Sequence, residues 1–205
     1  MSRLRVAPIV EGYGEFQAIR PLFMRLWTEQ LGGEYIDVLQ PIRRPRSQLG
    51  TQEGLSRAIS LAVLKLTTGQ PSPDPCLILV LLDRDPDPKP PCELGPKLLE
   101  SGLAARPDFD ITYVLANIEY ETWFVAAAES LRDYIEMPPD EPVPSSPEDA
   151  RHGKSWIQRH FKGIKYSETV DQPAMTSKMD LALCRRRSPS FDKLCRELEK
   201  RLKSG

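Results

Sequence analysis

Acidic side chains occur in three short groups, each directly after a segment with the pattern of a β-strand. The groups are Glu11 with Glu15, then Asp83, Asp85 and Asp87, and finally Glu119 with Glu121. Because ligands of open parallel α/β sheets bind at the carboxyl ends of the strands, we expect these carboxylates at one rim. Carboxylate oxygens are ligands for hard cations such as Mg²⁺, and two such ions can activate a water against a phosphodiester.

Each group also has an ordinary structural explanation. An aspartate after a strand often hydrogen-bonds its own turn, and Glu119 and Glu121 could stabilise the first turn of a helix. Glu11 with the following glycine could be a plain tight turn. Like charges packed at one rim are unfavourable without a compensating cation, however. Three strand ends that all carry carboxylates therefore favour metal-dependent phosphoryl chemistry.

The rest of the first 135 residues alternates between strand and helix patterns. Strands are predicted at Leu4–Val10, Tyr35–Leu39, Cys76–Leu82 and Ile111–Ala116, and helices at 16–27, 55–66, 93–106 and 119–135. Cys76–Leu82 is apolar without alternation, which is typical of a strand covered on both faces in a parallel sheet. Pro8 cannot donate a ladder hydrogen bond and favours an edge position or a strand start. The predicted fold class is α/β, with three layers and a mainly parallel sheet of about four strands flanked by helices.

Proline and charge divide the chain. Met137–Pro147 contains five prolines in eleven residues, which is typical of a loop or linker. Residues 1–150 carry 14 Lys and Arg against 23 Asp and Glu, whereas residues 151–205 carry 14 against 6. We predict a catalytic domain at 1–136, a Pro-rich linker at 137–150, and a basic helical C-terminal extension at 151–205, packed on or beside the domain. The charge asymmetry fits either a polyanion-binding flank or mutual attraction of the two halves.

Several protein classes are excluded by composition. No run of about 18 apolar residues could span a membrane, and the N-terminus lacks the apolar segment of a secretion signal. The four cysteines show no C-x-x-C spacing, so we expect free thiols and no structural zinc. The expected location is cytoplasmic, with no membrane partner.

Two glycine motifs suggest nucleotide binding but are incomplete. Gly12-Tyr13-Gly14 resembles a dinucleotide fingerprint, yet Gln17 replaces the third glycine, and Glu11 and Glu15 would repel a pyrophosphate. Gly153-Lys154-Ser155 resembles the end of a P-loop. Glu148 stands at the position of the first P-loop glycine, and no strand precedes the motif. We predict neither site.

The acidic groups also resemble a known signature. Val10-Glu11-Gly12-x-x-Glu15 after a first strand, with Leu82-Asp83-Arg84-Asp85 after a later one, resembles the Toprim motif. The stretch 117–124 (NIEYETWF), together with Ser188-Pro189-Ser190-Phe191, resembles a Toprim-like bacterial family named domain of unknown function 4276. That family is similar to the nuclease half of the OLD (overcoming lysogenisation defect) proteins, and the resemblance covers nearly the whole chain.

The resemblance implies roles for particular residues. Glu11 would be a metal ligand or the general acid/base, and Asp83 and Asp85 would hold the first Mg²⁺ or Mn²⁺ and complete the catalytic set. Glu15, Glu119 and Glu121 would form a second metal position. The basic residue that usually completes such sites is left open between Arg84, Lys162, Lys165 and Lys178. Taken from the residues alone, Arg185, Arg186 and Arg187 are candidates for contacts to the phosphate backbone.

The expected function is a metal-dependent nuclease, an endonuclease-type hydrolase that cuts phosphodiesters by a one- or two-metal Toprim mechanism. DNA is favoured over RNA as its substrate. By the same resemblance a separate ATPase partner and a role in phage defence are expected. The alternative is a non-catalytic Toprim-like subunit that binds nucleic acid or a partner ATPase. The oligomeric state is left open, a homo-oligomer included.

Overall fold

The computed structural model describes residues 4–68, 75–85, 87–138, 140–148 and 153–204. These residues contain one parallel sheet of five strands: Arg5–Val10 (β1), Asp37–Val38 (β2), Ile42–Arg43 (β3), Cys76–Asp83 (β4) and Asp110–Ala116 (β5). The strand order is β2-β1-β4-β5, and β3 pairs with β1 at the opposite end of that strand from β2. The predicted mainly parallel sheet is confirmed.

Nine helices occur in the described part of the chain. They are Tyr13–Arg25 (α1), Arg46–Leu49 (α2), Gln52–Thr67 (α3), Pro91–Ala105 (α4), Glu121–Ala126 (α5), Gly153–His160 (α6), Asp171–Thr176 (α7), Leu181–Arg187 (α8) and Pro189–Ser204 (α9). A π-helical turn, Leu26–Gln30, continues α1, and a 3₁₀ turn, Ala128–Ser130, follows α5.

The sheet separates two apolar cores. Leu77, Leu79 and Leu81 of β4 enter one core with α1 and with the helices from α5 to α9, whereas the residues between them pack against α3 and α4. Because successive side chains of a strand point to opposite faces, a strand covered on both sides must be apolar throughout. The unbroken apolar run of β4 is therefore the sequence counterpart of the three-layer α/β fold, which is confirmed.

Pro8 lies at the centre of the sheet and inside β1, contrary to the edge position or strand start that the sequence predicts. β1 pairs with β4 along its whole length, and Pro8 stands opposite Leu79. On the other side of β1, the carbonyls of Val6 and Val10 accept from Leu39 and Arg44. By alternation the Pro8 nitrogen faces this same side, where β2 has ended and β3 has not begun. Its missing N–H therefore breaks no ladder bond.

Two further elements differ from the sequence expectation. The predicted helix 119–135 is replaced by the six-residue α5 and the 3₁₀ turn, after which Ile135 forms an antiparallel bridge with Phe161. Every residue of α5 is buried, so it packs as a short core helix and not as a long amphipathic one. The basic loop at 43–46 contributes Arg43 to β3.

The C-terminal helices α7, α8 and α9 share a core with α1 and α5. α7 packs along α1, and α9 lies against β5. The proposed domain boundaries stay predictions, and part of the predicted linker, residues 139, 149 and 150, lies outside the described residues.

Candidate functional site

The carboxyl ends of three strands meet at one rim of the sheet. Val10 of β1 pairs with Leu81 of β4, and Asp83 at the end of β4 pairs with Ala116 of β5. Glu11 therefore follows β1 beside the last residues of β4, and the 117–121 segment follows β5 on the other side. Burial raises the pKa of Asp83 well above its usual range, and the charges of Glu15, Glu121, Glu11 and Glu119 raise it further. Five of the predicted site residues thus share one electrostatic environment.

Glu11 lies between a cation and its acidic neighbours. Its Oε2 atom is buried without a hydrogen-bond partner, and the Arg46 Nη1 atom, also without one, lies 3.8 Å away. Burial raises the pKa of Glu11 to about 7, although Arg46 lowers it, and Glu15 and Asp85 add to the increase. Glu11 is therefore a carboxyl that can exchange a proton near neutral pH, with a guanidinium at its side.

Glu15 is held in the site by two glycines and a distant amide. A Cβ atom at Gly12 would lie 3.1 Å from the Glu15 Cδ atom, so the Glu15 side chain lies against Gly12 and would have to shift if that residue had a side chain. Gln172 of α7 donates from Nε2 to Glu15 Oε1 at 3.3 Å, whereas Glu15 Oε2 is buried without a partner. Burial raises the pKa of Glu15 despite this hydrogen bond.

Gly14→Ala is expected to lower the free energy of unfolding by about 1–3 kcal/mol, the usual cost of overpacking. The added Cβ would approach Gln172 Cδ to 2.7 Å and the Glu168 carbonyl oxygen to 3.0 Å, which displaces the amide that holds Glu15. Urea denaturation measures the change. The matched control is Gly95→Ala in α4, where a Cβ meets nothing within 4 Å; equal stability of the two variants would contradict this packing.

The turn after β5 brings in the third acidic group. Ile118 has a positive φ of 69°, and the backbone N–H of Tyr120 then donates to Asp83 Oδ1 at 2.9 Å. Glu121, at the start of α5, is buried and accepts from the Tyr166 hydroxyl at 3.0 Å. Burial raises the pKa of Glu121 to about 7, and Glu119 contributes to the rise.

Glu119 binds the first turn of α6. Its Oε1 atom accepts from the backbone N–H of Lys154, and the Lys154 side chain pairs with Glu168. This ion pair, together with Glu121 and Glu119, raises the pKa of Lys154. Gly153 packs directly against the Glu121–Thr122 backbone, which explains why that residue is a glycine. The Gly-Lys-Ser motif is thus part of the acidic site.

Asp85 and Arg84 lie beside the cluster in different environments. Asp85 is exposed, and its backbone N–H donates to the Ile118 carbonyl at 2.9 Å. Arg84 donates to Asn117 Oδ1 at 2.8 Å and to the Asp87 carbonyl at 2.7 Å, so its guanidinium braces two loops. Asp87 accepts from the backbone of Lys89.

The other basic candidates are spread over the molecule. Lys162 lines a separate cavity with Glu129 and Arg132. Lys165 lies in the exposed segment before α7, and Lys178 follows that helix. Arg185 pairs with Asp192 and Glu199, Arg187 pairs with Glu129, and Arg186 is exposed on α8.

Sequence reasoning missed four residues that contact the acidic groups, Arg46, Lys154, Tyr166 and Gln172, and a fifth, Glu168, that pairs with Lys154. Two of them carried a signal. Arg46 belongs to the basic loop that follows β2, and Lys154 belongs to the incomplete P-loop motif. No sequence pattern pointed to Gln172, Tyr166 or Glu168. Gln172 lies 157 residues along the chain from Glu15, and Tyr166 lies 45 residues from Glu121.

The donor chemistry at this rim fits a hard divalent cation. The buried Oε2 atoms of Glu11 and Glu15 have no hydrogen-bond partner, and the Arg46 Nη1 atom approaches Glu11 Oε2 only to 3.8 Å. Burying such oxygens is costly unless a cation binds them. In the part of the chain that the structure describes, no three His, Cys, Asp or Glu side chains form a group that could hold a metal ion. The ligands would therefore have to draw together on binding.

Comparison with known proteins identifies the family. No curated protein and no solved structure matches the chain significantly. In the described residues no helix is long and apolar enough to cross a membrane. The model of the family described as Domain of unknown function (DUF4276) matches residues 10–199, which include the acidic groups and most of α9. The chain belongs to this family.

Proposed function

We propose that the chain is a Toprim-like, metal-dependent nuclease, related to the nuclease half of the OLD proteins. One observation carries this proposal. Carboxylates that follow β1 and β5 act on Asp83 at the end of β4, while the buried Oε2 atoms of Glu11 and Glu15 lack a hydrogen-bond partner. Such an arrangement is unfavourable for the fold and is typical of a site that serves a ligand. The same resemblance supports an ATPase partner and a role in phage defence as further parts of the proposal.

The proposed role of each residue follows from its position in the site. Asp83 and Asp85 would hold the first Mg²⁺ or Mn²⁺, with Glu11 as a further ligand or as the general acid/base, and Glu15, Glu119 and Glu121 would hold the second. A bound cation would supply Lewis-acid stabilisation of charge on the phosphodiester and favour hydroxide formation from water. Glu11, with its pKa raised to about 7, can accept or return a proton at the reacting water. Tyr120 orients Asp83, and Tyr166 orients Glu121, each by one hydrogen bond.

A basic, aromatic surface beside Glu11 suits the approach of a nucleic-acid strand. The Arg43 guanidinium lies 3.9 Å from the centroid of the Tyr13 ring, and Tyr13 is 60% exposed. Arg46 lies next to Glu11 on the same side. Guanidinium groups bind phosphate, and exposed aromatic rings stack on bases. We therefore propose Arg46 as the basic residue that completes the site.

Supercoiled plasmid DNA tests the proposal directly. With Mg²⁺ or Mn²⁺ the wild-type protein is expected to nick the plasmid, EDTA is expected to stop it, and Glu11→Gln is expected to slow it at least ~100-fold, as for loss of a general base. Glu53→Gln is the matched control, because Glu53 is exposed and pairs only with Arg57 in the structure. Equal nicking by wild type and Glu11→Gln would reject the site.

A non-catalytic role is the second candidate, favoured by the absence of a ready metal-binding group among the described residues. In that case the chain binds nucleic acid or a partner ATPase and does not cut. Replacing Asp83 and Asp85 with alanine would then change nucleic-acid affinity little. Isothermal titration with Mn²⁺ separates the two candidates: the nuclease requires Mn²⁺ binding that the double variant loses.

A further inference from the structure

A further cavity lies next to the acidic rim, along the β5 edge of the sheet. Its volume is about 810 Å³, and it opens between α4 and the corner where α8 meets α9. Pockets of roughly 300–1,000 Å³ bind small molecules in proteins. None of the six proposed metal ligands lines it. Asn117 lies in its wall and hydrogen-bonds Arg84, so the cavity and the rim are neighbours that share one loop.

One side of the cavity is apolar and suits a flat ring. Pro96 and Leu99 of α4 face Tyr113 and Leu115 of β5 across it. Gly95 also lines this side, and a Cβ built there meets no atom within 4 Å. The cavity is therefore open beside Gly95.

Polar groups of the β5 edge also reach this region. Within the described residues β5 pairs only with β4, and the carbonyls of Ala116 and Ile118 accept from Arg84 and Asp85 on that side. Alternation along a strand turns the backbone groups of Tyr113 and Leu115 the other way, towards the free edge. The Tyr113 hydroxyl is buried without a hydrogen-bond partner. Donors and acceptors are thus available beside the apolar wall.

The remaining side of the cavity is basic. Arg186, Arg187, Lys193 and Arg196 contribute to it. The carboxylate of Glu148 is the acidic side chain in the lining, and it accepts from the hydroxyls of Ser188 and Ser190 and from the Ser190 backbone N–H. Those groups compensate the charge of Glu148 at the start of α9. Arg187 and Arg196 pair with Glu129 and Asp192, and Lys193 shares Glu197 with Lys200 and Arg201. Arg186 is exposed and has no ion pair among the described residues, so it and Lys193 give the cavity the positive charge that favours an anion.

We propose that this cavity binds a nucleoside monophosphate unit. The base would lie between α4 and β5, against Leu99 and Leu115, and the phosphate would bind Arg186 and Lys193. A free nucleotide and one nucleotide of a single strand share this chemistry. This proposal does not rest on the proposed cleavage reaction, since it assigns no role to a metal.

Fluorescent mant-AMP, titrated in EDTA against the full chain, tests this binding without cleavage. Gly95→Leu places a side chain in the open space and is expected to weaken binding at least tenfold, whereas Gly95→Ala is expected to bind within twofold of wild type. Arg186→Glu, at an exposed position, is expected to weaken binding at least fivefold without affecting folding. Unchanged affinity in both Gly95→Leu and Arg186→Glu would overturn the proposal.

Competition with mant-AMP and protection of Cys92 from alkylation identify the class of ligand. AMP is expected to displace mant-AMP at least tenfold better than adenosine or inorganic phosphate, and (dT)₆ competing as AMP does would identify a strand as the source.

Cys92 is exposed and lines the cavity, so AMP is expected to slow its alkylation by iodoacetamide. Displacement by an acidic peptide but not by AMP would overturn the proposal in favour of a protein partner, and displacement by phosphate alone would reduce the cavity to an anion site.

Discussion

Asp83→Asn is expected to abolish metal-dependent cleavage while making the metal-free protein more stable. Burial raises the pKa of Asp83, and Glu15, Glu121, Glu11 and Glu119 raise it further, so ionisation of Asp83 in the folded protein opposes folding. Asparagine removes the charge and keeps an oxygen that can accept from the Tyr120 N–H. Loss of a metal ligand costs several kcal/mol of transition-state stabilisation, or about 10³-fold in rate.

The measurements are plasmid nicking and thermal unfolding at pH 7.5 in EDTA. Removing this charge penalty of about 1–3 kcal/mol corresponds to a rise in Tm of roughly 2–12 °C for a chain of this length. Asp87→Asn is the matched control, because Asp87 contacts the Lys89 backbone and does not raise the pKa of Asp83. A lower Tm together with retained nicking would show that Asp83 is an ordinary structural residue.

The metal-free protein is expected to lose stability as the pH rises from 5 to 8. Burial raises the pKa of Glu11 and of Glu121 from 4.5 to about 7. Between these values the folded state holds protons that the unfolded state has released, so the free energy of unfolding falls with pH and levels off above about pH 7. Burial raises the pKa of Glu197, but Lys193, Lys200 and Arg201 lower it to about 2 overall, so its contribution is complete by pH 5.

Divalent cations are expected to reverse this loss. Mg²⁺ at about 100 times its Kd would add roughly 2.7 kcal/mol at pH 8, and much less at pH 5, where protons compete for the carboxylates. Differential scanning fluorimetry across pH, with and without Mg²⁺, gives both curves. The double variant Glu11→Gln, Glu121→Gln is expected to reduce the pH dependence of both curves, whereas Glu53→Gln is expected to leave it unchanged. A Mg²⁺ effect of equal size at pH 5 and pH 8 would be inconsistent with binding at this cluster.

The acidic rim is mostly encoded by local sequence. Strand periodicity places Glu11, Asp83 and Glu119 just beyond three strands, and parallel strands bring their carboxyl ends to one edge. The apolar run of β4 predicts helices on both faces for the same reason. These features depend on residues that are neighbours in the chain, so composition and spacing suffice to predict them.

Tertiary packing decides which distant side chains reach the acidic rim and where Pro8 lies in the sheet. Gln172 and Tyr166 reach Glu15 and Glu121 only because α7 packs along α1 and the preceding segment crosses the rim. Pro8 is tolerated at the centre of the sheet because two short strands leave a gap beside it. The spacing of apolar residues shows the periodicity of one helix or strand. Contacts between distant elements depend instead on how the faces of those helices and strands pack together. The sequence alone therefore determined the acidic groups and their strands, and only the folded chain determined which side chains complete the site.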